Sequence, residues 1–296
     1  MYDIIGDVHG EADKLHKLLT LLDYRPGGTG YYHPQRKAIF LGDFINKGGA
    51  SKEALEIVRS MLAREAAYAV AGNHELYLIG FFHKHAHGEY IREHTEKNTS
   101  QHAPTFSSFG QDREALLDYI SWMQTLPLYL ELPGIRIVHA YWHQHSIDFI
   151  KQHYPQACLD DETLAAMVPG SEVSQAVEEL LVGLKLPLPP SASDSPSFKT
   201  KWWRIGKTHE YSELAIRPDS TLGNPPISYE SIHTEDYHYP EKDIPLFFGH
   251  YNLPGKPRIL AHNYTCLDFN LEDEPLLVAY RWDGEARLES DKLVYV

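Results

Sequence analysis

Carboxylate, amide and imidazole side chains follow five short apolar runs of this sequence, at the point where each run ends. They are Asp7 and His9 after residues 4–5, Asp43 after residues 39–41, Asn73 after residues 69–71, His139 after residues 135–138 and His250 after residues 246–248. Such nitrogen and oxygen donors form a ligand set suited to divalent transition metals. Two metal ions roughly 3.5–4 Å apart can clamp a phosphoryl group, so the pattern indicates metal-dependent phosphoryl chemistry.

Taken one at a time, these residues have an ordinary explanation in the chemistry of turns. Asp and Asn are common turn formers, and His74, beside Asn73, could be a histidine at a helix start. The flanking glycines, such as Gly42, would allow the backbone to approach a metal closely. The metal interpretation requires the ends of the runs to meet at one edge of a sheet, where the ligand sites of open α/β sheets lie.

The elements that must position these residues begin with alternating strands and helices over residues 1–80. Strands are predicted at residues 2–5, 37–41 and 67–71, with a helix from about Glu11 and a second helix capped by Ser51. In the first helix, the leucines at positions 15, 18, 19 and 22 fall on one face, which is the spacing of a helix packed on a core. This alternation is typical of a βαβ sheet.

The remaining sequence predicts fewer regular elements. They are a helix at about residues 113–124, a hairpin at 128–138, two helices within 160–185, and strands from residue 245 onward, one of them at 258–262. Residues 187–196, rich in Pro and Ser, are predicted as an extended link. Residues 209–243 have no periodicity and are predicted as long surface loops, which in a compact domain are often functional.

The composition narrows the class of protein. The chain has 296 residues, of which 43% are hydrophobic, enough for a large globular core. A formal charge of −14 argues against general nucleic-acid binding, which needs a basic face. Two cysteines give no disulfide framework. No signal peptide and no apolar run of membrane length is recognised, so we expect a cytoplasmic protein with no membrane partner.

The order of the motifs resembles a known family. GDVHG at 6–10, GD at 42–43, GNHE at 72–75, VHA at 138–140 and GH at 249–250 resemble the motif set of calcineurin-like metallophosphoesterases. The GDVHG and GNHE forms resemble the branch that contains Ser/Thr phosphoprotein phosphatases and bacterial symmetrical diadenosine tetraphosphatases. This resemblance implies an α/β fold, a two-sheet β sandwich flanked by helices with helical or loop insertions. We interpret residues 1–296 as a single domain, with insertions at about 81–112 and 145–243 forming a cap or lid.

The resemblance also implies a role for each motif residue. Asp7 and His9 would hold the first metal, Asp43 would bridge both metals, and Asn73, His139 and His250 would hold the second. His74 would be the general acid that protonates the leaving group, while a metal-bridging hydroxide attacks phosphorus in line. Two divalent ions are implied, with manganese as the first expectation and iron or zinc as alternatives.

The second motif departs from the family. The usual pattern is GDxxDRG, whereas this chain has GDFINKG, with Asn46 and Lys47 at the Asp and Arg positions. We predict that Asn46 is a catalytic residue that orients His74 through its amide oxygen without supplying charge. Lys47 is predicted to bind substrate phosphate, together with Asn73, but without the two-pronged geometry of arginine. The two changes predict a site that is weakened or tuned to another substrate or pH.

Two further residues are weaker candidates. Arg204, between the fourth and fifth motifs, could be a second phosphate-binding arginine, or it could stack on the neighbouring tryptophans at the surface. His143 could line the pocket, because it follows His139 closely. The histidines at positions 83, 85 and 87 could bind metal, although a solvated histidine-rich loop is the more common outcome.

The sequence thus predicts a dinuclear metal-dependent phosphoesterase that hydrolyses phosphomonoesters. A dinucleoside polyphosphate hydrolase or a phosphodiesterase is the alternative, and a metal-binding pseudo-phosphatase is the non-enzyme alternative. The expected partner is a phosphorylated small molecule, a nucleotide or a phosphoprotein. The sequence makes no choice among these substrates and no prediction of oligomeric state.

Overall fold

A computed structural model describes residues 1–28, 30–85, 88–188, 197–229 and 238–296. The strands of this described part are β1 (Tyr2–Ile5), β2 (Arg25–Gly27), β3 (Gly30–Tyr32), β4 (Lys37–Phe40), β5 (Ala67–Ala69), β6 (Tyr129–Leu132), β7 (Ile135–Val138), β8 (Lys185–Pro187), β9 (Ser197–Lys199), β10 (Leu246–Phe248), β11 (Leu253–Pro254), β12 (Tyr264–Cys266), β13 (Asp268–Leu271), β14 (Glu274–Trp282) and β15 (Leu293–Tyr295). The helices are α1 (Ala12–Leu21), α2 (Ser51–Ala63), α3 (Asn73–Phe82), α4 (Glu96–Phe109), α5 (Arg113–Met123), α6 (Gln144–His153), α7 (Asp161–Ala166), α8 (Glu172–Val182) and α9 (Tyr211–Leu214).

Two sheets form the centre of the fold. The larger has the order β11-β13-β14-β1-β4-β5, with β15 also paired to β14, and the smaller has the order β12-β10-β7-β6. Their inner faces meet, since the Phe247 ring of β10 lies 5.1 Å from the Tyr280 ring of β14, and both residues are fully buried in one hydrophobic core. The α/β sandwich predicted from the motifs is therefore confirmed.

The helices cover the sheets with the apolar faces that their spacing predicts. Leu15, Leu18 and Leu19 of α1 are fully buried, and so are Leu55 and Val58 of α2, while the opposite faces carry charged residues. Among the described residues, none of the helices has the length and apolar character needed to cross a bilayer.

The carboxyl ends of the parallel strands meet at one edge, and this convergence positions the motifs. β1 pairs with β4 in parallel, β4 pairs with β5 in parallel, and β7, β10 and β12 are parallel in the smaller sheet. Parallel neighbours end at the same side of a sheet. The residues that follow β1, β4, β5, β7 and β10 are therefore brought to the same region, as the sequence pattern required.

Several local predictions were wrong or incomplete. Ser51 is the first residue of α2 and not its cap: Ala50 holds the cap position, and the Ser51 hydroxyl instead accepts a hydrogen bond from the Asn46 backbone nitrogen at 3.2 Å. Residues 258–262 do not form a strand, because Ala261 makes only an isolated bridge to Tyr264. The β2–β3 and β8–β9 ribbons and α6 were not predicted.

The predicted insertions contain mostly helices and short ribbons. Residues 81–112 hold α4, and residues 145–243 hold nearly all of α6, then α7 to α9 together with the β8–β9 ribbon. Most of the predicted link at 187–196 lies outside the described residues. That the insertions close over the site as a cap or lid stays a prediction.

Candidate metal centre

Asp43, which follows β4, lies at the centre of the converging strand ends. Its Oδ1 is 3.4 Å from His139 Nε2, and its Oδ2 is 3.7 Å from His9 Nε2. Two groups of donor atoms overlap at this residue: His9, Asp43 and His74 form one group, and Asp43, His139 and His250 form the other, each with its atoms within 4.8 Å of one another. A carboxylate shared by two donor groups has the geometry of a bridging ligand.

Backbone carbonyls fix two of the histidines with one ring nitrogen turned toward this cluster. His139 Nδ1 donates to the Leu41 carbonyl at 2.6 Å, and His9 Nδ1 lies 3.4 Å from the Ile45 carbonyl. Because Nδ1 carries the proton in each pair, Nε2 of the neutral ring presents a lone pair. A backbone partner of this kind sets the tautomer that a metal ligand needs.

Asn73 and His250 complete the second donor group. Asn73 Oδ1 lies 2.6 Å from His250 Nδ1 and 3.1 Å from His139 Nε2. On the other side, both oxygens of Asp7 accept from the His250 backbone nitrogen, at 3.2 and 3.1 Å, and Asp7 Oδ2 is 3.7 Å from His9 Nε2. The six side chains predicted as ligands are therefore brought together, and their role as ligands stays a prediction.

The electrostatics of the cluster favour a cation. Burial acts to lower the pKa of His139, but the Asp43 carboxylate outweighs this effect and raises that pKa to about 9. Burial, with further repulsion from Asp268, raises the pKa of Asp7 well above its usual value. Buried carboxylates are costly unless they are paired with cations or coordinate metals. The donor set and its charge therefore fit divalent metal ions.

Close approach of the backbone explains two of the motif glycines. A Cβ atom on Gly72 would overlap the backbone nitrogen of Asp43, and one on Gly249 would overlap Oδ1 of Asp7. The ligand residues themselves are bent sharply, since φ is 49° at His9, 53° at Asp43 and 72° at His250. Non-glycine residues seldom adopt positive φ, and such residues cluster at functional sites.

Glu75 is a positioning residue to which the sequence reasoning gave no role. Its carboxylate accepts hydrogen bonds from the backbone nitrogens of Asp43 at 2.7 Å, Phe44 at 2.8 Å and Gly72 at 2.9 Å. These bonds join the loop after β4 to the start of α3. Burial and repulsion from Asp43 raise the pKa of Glu75 to about 7. The signal was present in the sequence, because Glu75 is the last residue of the GNHE motif.

His74 faces the same cluster but is held differently from the predicted ligands. Its backbone nitrogen donates to Asp43 Oδ1 at 2.9 Å, and its Nε2 is 3.9 Å from Asp43 Oδ2. Burial lowers the pKa of His74 to about 4, although attraction to Asp43 opposes this shift. The imidazole is therefore neutral at ordinary pH in the metal-free protein.

The contact between Asn46 and His74 corrects the predicted orientation of the amide. Asn46 Oδ1 accepts from the Thr105 hydroxyl at 2.7 Å, so the amide nitrogen, and not the oxygen, lies 2.8 Å from His74 Nδ1. An amide nitrogen can only donate, so Nδ1 of His74 accepts and the ring proton lies on Nε2. A protonated Nε2 is a poor ligand but a competent donor, which favours the acid role of His74.

An open cavity of about 490 Å³ lies over the cluster and is lined by His9, Asp43, Asn73, His74 and His250. We call it the metal cavity. Cations line its other wall: Lys47 was expected there, and Lys199 and Arg217 were not. Lys47 Nζ lies 2.5 Å from His9 Nε2. In the described part of the chain neither Lys199 nor Arg217 has a carboxylate partner, so both are available to an anionic ligand.

The acidic residues of the cluster lie close enough to Lys199 to affect its pKa. Loss of hydration within the cavity lowers the pKa of Lys199, while attraction to Asp43 and Asp268 acts in the opposite direction. Asp268 itself is buried and accepts from the Asn252 backbone nitrogen at 2.6 Å. No motif pointed to Lys199 or Arg217, but Asp268 could have been found as an acid inside the apolar run YTCLDF.

The structure does not bring Arg204 or His143 to the metal cavity. Arg204 is 40% exposed and forms an ion pair with Glu213, so its charge is already compensated. His143 Nδ1 lies 2.6 Å from a Glu179 carboxylate oxygen and 2.9 Å from the Ser146 hydroxyl, which joins α6 to α8. The predictions of Arg204 as a phosphate ligand and of His143 as a pocket residue therefore have no geometric support.

The histidine-rich tract is only partly described. His83 Nδ1 bonds the Ile79 carbonyl at 2.9 Å, in the manner of a helix end. His87 lies outside the described residues. Within the described part of the tract, His83 and His85 belong to neither donor group of the cluster.

Comparison with known proteins identifies the family. The sequence profile described as calcineurin-like phosphoesterase matches residues 2–175. One similar protein, from Oceanobacillus iheyensis, is named bis(5'-nucleosyl)-tetraphosphatase PrpE [asymmetrical]; it is 30% identical over 140 residues, which are 47% of this chain and 54% of that protein. A second, from Aromatoleum aromaticum, is named bis(5'-nucleosyl)-tetraphosphatase, symmetrical; it is 32% identical over 136 residues, which are 46% of this chain and 42% of that protein. The chain thus spans about half the length of these relatives, or less.

A solved structure supports the fold. The cold-active protein-tyrosine phosphatase of the psychrophile Shewanella sp. aligns with a TM-score of 0.51 and 13% identity, over 95% of this chain and 75% of that protein. At this identity the likeness shows the fold alone. The profile match, however, covers more than half of the sequence. The chain belongs to the calcineurin-like phosphoesterase family, a family of metal-dependent hydrolases.

Proposed function

We propose that this chain is a dinuclear metal-dependent phosphohydrolase whose main substrates are dinucleoside polyphosphates and related phosphate esters. The observation that carries the proposal is the position of Asp43, whose Oδ1 lies 3.4 Å from His139 Nε2 and whose Oδ2 lies 3.7 Å from His9 Nε2. Asp7 and His9 would hold one ion, Asn73, His139 and His250 would hold the other, and Asp43 would bridge them. When bound, the two ions would activate water and neutralise charge on the phosphoryl group.

The protein's own residues would bind and orient the phosphates. Lys47, Lys199 and Arg217 line one side of the metal cavity and would hold phosphate oxygens by charge-assisted hydrogen bonds. A single phosphomonoester presents few oxygens for three cations and two metals. A chain of several phosphates could occupy all of them, which favours a polyphosphate over a simple monoester.

His74 would act as the proton donor to the leaving oxygen. Its Nδ1 accepts from the Asn46 amide, so the proton lies on Nε2, facing the metal cavity. A positioned proton donor typically accelerates such a step by about 10²–10⁴-fold. Because Asn46 supplies no negative charge, the donor would be a neutral imidazole, which is a weaker acid catalyst than an imidazolium beside a carboxylate.

The names of the relatives support the polyphosphate class, since the two described above are both named as tetraphosphatases. Phosphomonoesters, phosphodiesters and phosphoproteins remain the competing substrates from the sequence. Manganese is the first metal to test, with iron and zinc as alternatives, because all three accept imidazole and carboxylate ligands.

The test is a panel of substrates assayed with the manganese-loaded protein. The substrates are p-nitrophenyl phosphate, bis-p-nitrophenyl phosphate, diadenosine tetraphosphate and a phosphopeptide. We expect turnover of diadenosine tetraphosphate with the highest kcat/KM, and measurable turnover of p-nitrophenyl phosphate. A higher kcat/KM for the phosphopeptide or the diester would assign another substrate class. No turnover of any substrate, with two metals bound, would make the chain a metal-binding pseudo-phosphatase.

A further inference from the structure

A second cavity, of about 440 Å³, opens beside the metal cavity. We call it the side cavity. Its apolar wall includes Leu76 and Ile91 together with Met167 from the loop after α7. Its polar side includes Tyr77, Arg92, Ser174, Glu178 and Lys185. A volume of this size is typical of small-molecule sites, and the mixed lining suits a ligand with both apolar and charged parts.

Two elements separate the side cavity from the metal cavity and contribute to both. In α3, His74 lines the metal cavity and Tyr77 lines the side cavity, and their ring centroids are 6.4 Å apart. In the β8–β9 ribbon, Lys185 is the register partner of Lys199; Lys185 lines the side cavity and Lys199 lines the metal cavity. The two cavities are therefore neighbours across these two elements, close enough for one extended ligand to span both.

The Arg92 guanidinium is held by two neighbouring residues and keeps one N–H group without a hydrogen-bond partner. Its guanidinium carbon lies 3.8 Å from the centre of the Tyr77 ring, and its Nη2 donates to Gln101 Oε1 at 2.7 Å. Its Nε is buried and has no hydrogen-bond partner. In the described part of the chain Arg92 makes no ion pair. Stacking on Tyr77 holds the guanidinium in place at little further cost in conformational entropy.

The charges and walls of the side cavity match one half of an extended phosphorylated ligand. Arg92 and Lys185 supply positive charge for a phosphate, while Leu76, Ile91 and Met167 supply apolar surface for a flat ring. Glu178 from α8 adds an acceptor that could receive a hydrogen bond from an exocyclic amine.

We propose that the side cavity binds the nucleoside end of a dinucleoside polyphosphate whose phosphate chain lies in the metal cavity. This proposal rests on the function proposed above and adds a second recognition site to it. The other nucleoside would lie in the part of the metal cavity that is lined by Phe198 and Ile216. The substrate is then recognised at both ends, and the bond cleaved is selected by the distance from the side cavity to the metals.

The test uses two substitutions in the side cavity, each with a matched control elsewhere. Ser174→Trp fills the cavity from α8, and Glu162→Trp places the same bulk on the exposed surface of α7. Lys185→Gln removes a cation from the ribbon, and Lys151→Gln removes one from the exposed surface of α6. Positions 151, 162 and 185 are all exposed, so folding is expected to be retained, and thermal unfolding midpoints would verify this.

The measured quantity is KM for diadenosine tetraphosphate relative to KM for inorganic tripolyphosphate, which has no nucleoside. Loss of the base site should raise this ratio by about tenfold or more for Ser174→Trp, and loss of one charge-assisted phosphate contact in Lys185→Gln should raise KM for diadenosine tetraphosphate by about tenfold or more. The controls should leave both constants within about twofold of the wild type. If the ratio is unchanged in Ser174→Trp, or if Lys185→Gln leaves KM for diadenosine tetraphosphate unchanged, the proposal is wrong.

Failure of the proposed function would be recognised separately. If the wild type hydrolyses neither substrate, the side cavity is tested by binding of adenosine 5′-monophosphate in equilibrium dialysis. Saturable binding that is lost in Ser174→Trp and kept in Glu162→Trp would support the nucleoside site. No saturable binding, or equal affinity in both variants, would overturn it.

Discussion

The amide nitrogen of Asn46 lies 2.8 Å from Nδ1 of His74. The Thr105 hydroxyl, on α4, fixes this orientation by donating to the Asn46 amide oxygen at 2.7 Å. An asparagine at this position thus does two things: it keeps the proton of His74 on Nε2, facing the metal cavity, and it withholds the negative charge that an aspartate would supply. The inserted helix α4 is thereby linked to the reaction centre through one side chain.

Restoring the usual pair of residues should increase activity. In the double variant Asn46→Asp with Lys47→Arg, the carboxylate of residue 46 would stabilise the imidazolium of His74. The guanidinium of residue 47 would bind phosphate through two N–H donors. We expect kcat for p-nitrophenyl phosphate to rise by roughly tenfold, because one pKa unit of added stabilisation corresponds to a factor of ten.

The measurement is initial rate against pH for the wild type, both single variants and the double variant. The single variants separate the charge on residue 46 from the geometry of residue 47. An unchanged or lower kcat in the double variant would show that these two substitutions do not limit the enzyme.

Removing the proton donor should reduce rate without releasing metal. We expect His74→Ala to lower kcat by about a hundredfold or more, as for loss of a general acid, and to retain two manganese ions per chain. His145→Ala is the matched control, because the His145 side chain is 77% exposed. Metal content by mass spectrometry and kcat are measured on the same samples. Loss of metal from His74→Ala would instead assign His74 as a ligand.

Arg217 and Arg204 provide a matched pair of arginines. Arg217 lines the metal cavity, whereas Arg204 is paired with Glu213 outside it. Arg217→Gln should raise KM for tripolyphosphate by about tenfold or more, the loss expected for one charge-assisted contact. Arg204→Gln should change KM by less than about twofold. A tenfold rise in KM for Arg204→Gln, with little change for Arg217→Gln, would instead assign phosphate binding to Arg204, as the sequence predicted.

The contribution of His102 to the stability of the metal-free protein should fall as the pH is lowered. His102 of α4 is fully buried, and burial lowers its pKa to about 3. The unfolded chain binds this proton near pH 6.5, so the folded state loses stability as the pH falls from 6.5 toward 3. One such group contributes at most about 1.4 kcal/mol per pH unit.

The variant His102→Phe tests whether His102 contributes to this pH dependence of stability. A phenylalanine keeps the ring packing against Phe81 and Phe106 but cannot be protonated. Thermal midpoints measured with a chelator at pH 7.5 and 5.5 should differ less in the variant than in the wild type. Equal pH dependence in the two proteins would mean that His102 does not contribute.

The metal cluster could be predicted from the sequence because its residues obey a topological rule. Asp7, Asp43 and Asn73 follow strands that are parallel neighbours, and parallel strands present their carboxyl ends at one edge. His139 and His250 follow parallel strands of the second sheet in the same way. Short apolar runs that end in such residues are visible without a structure, so the cluster and the α/β class were accessible.

The cations and the amide orientation could not be predicted, since they depend on contacts between distant segments. Arg217 lies in a region without periodicity, and Lys199 lies in a ribbon that the sequence does not indicate. Arg204 had the expected position in the chain, but Glu213 compensates its charge. For Asn46, the orientation depends on Thr105, 59 residues away, which no local pattern connects to it.

The most direct test of the account is a titration of the metal-free chain with manganese while the rate of diadenosine tetraphosphate hydrolysis is followed. If Asp43 bridges two ions, the rate should rise to a plateau at two manganese ions per chain, and Asp43→Asn should abolish both the tight stoichiometry and the rate. A plateau at one ion per chain, or two ions bound with no hydrolysis, would contradict the dinuclear phosphohydrolase proposed here.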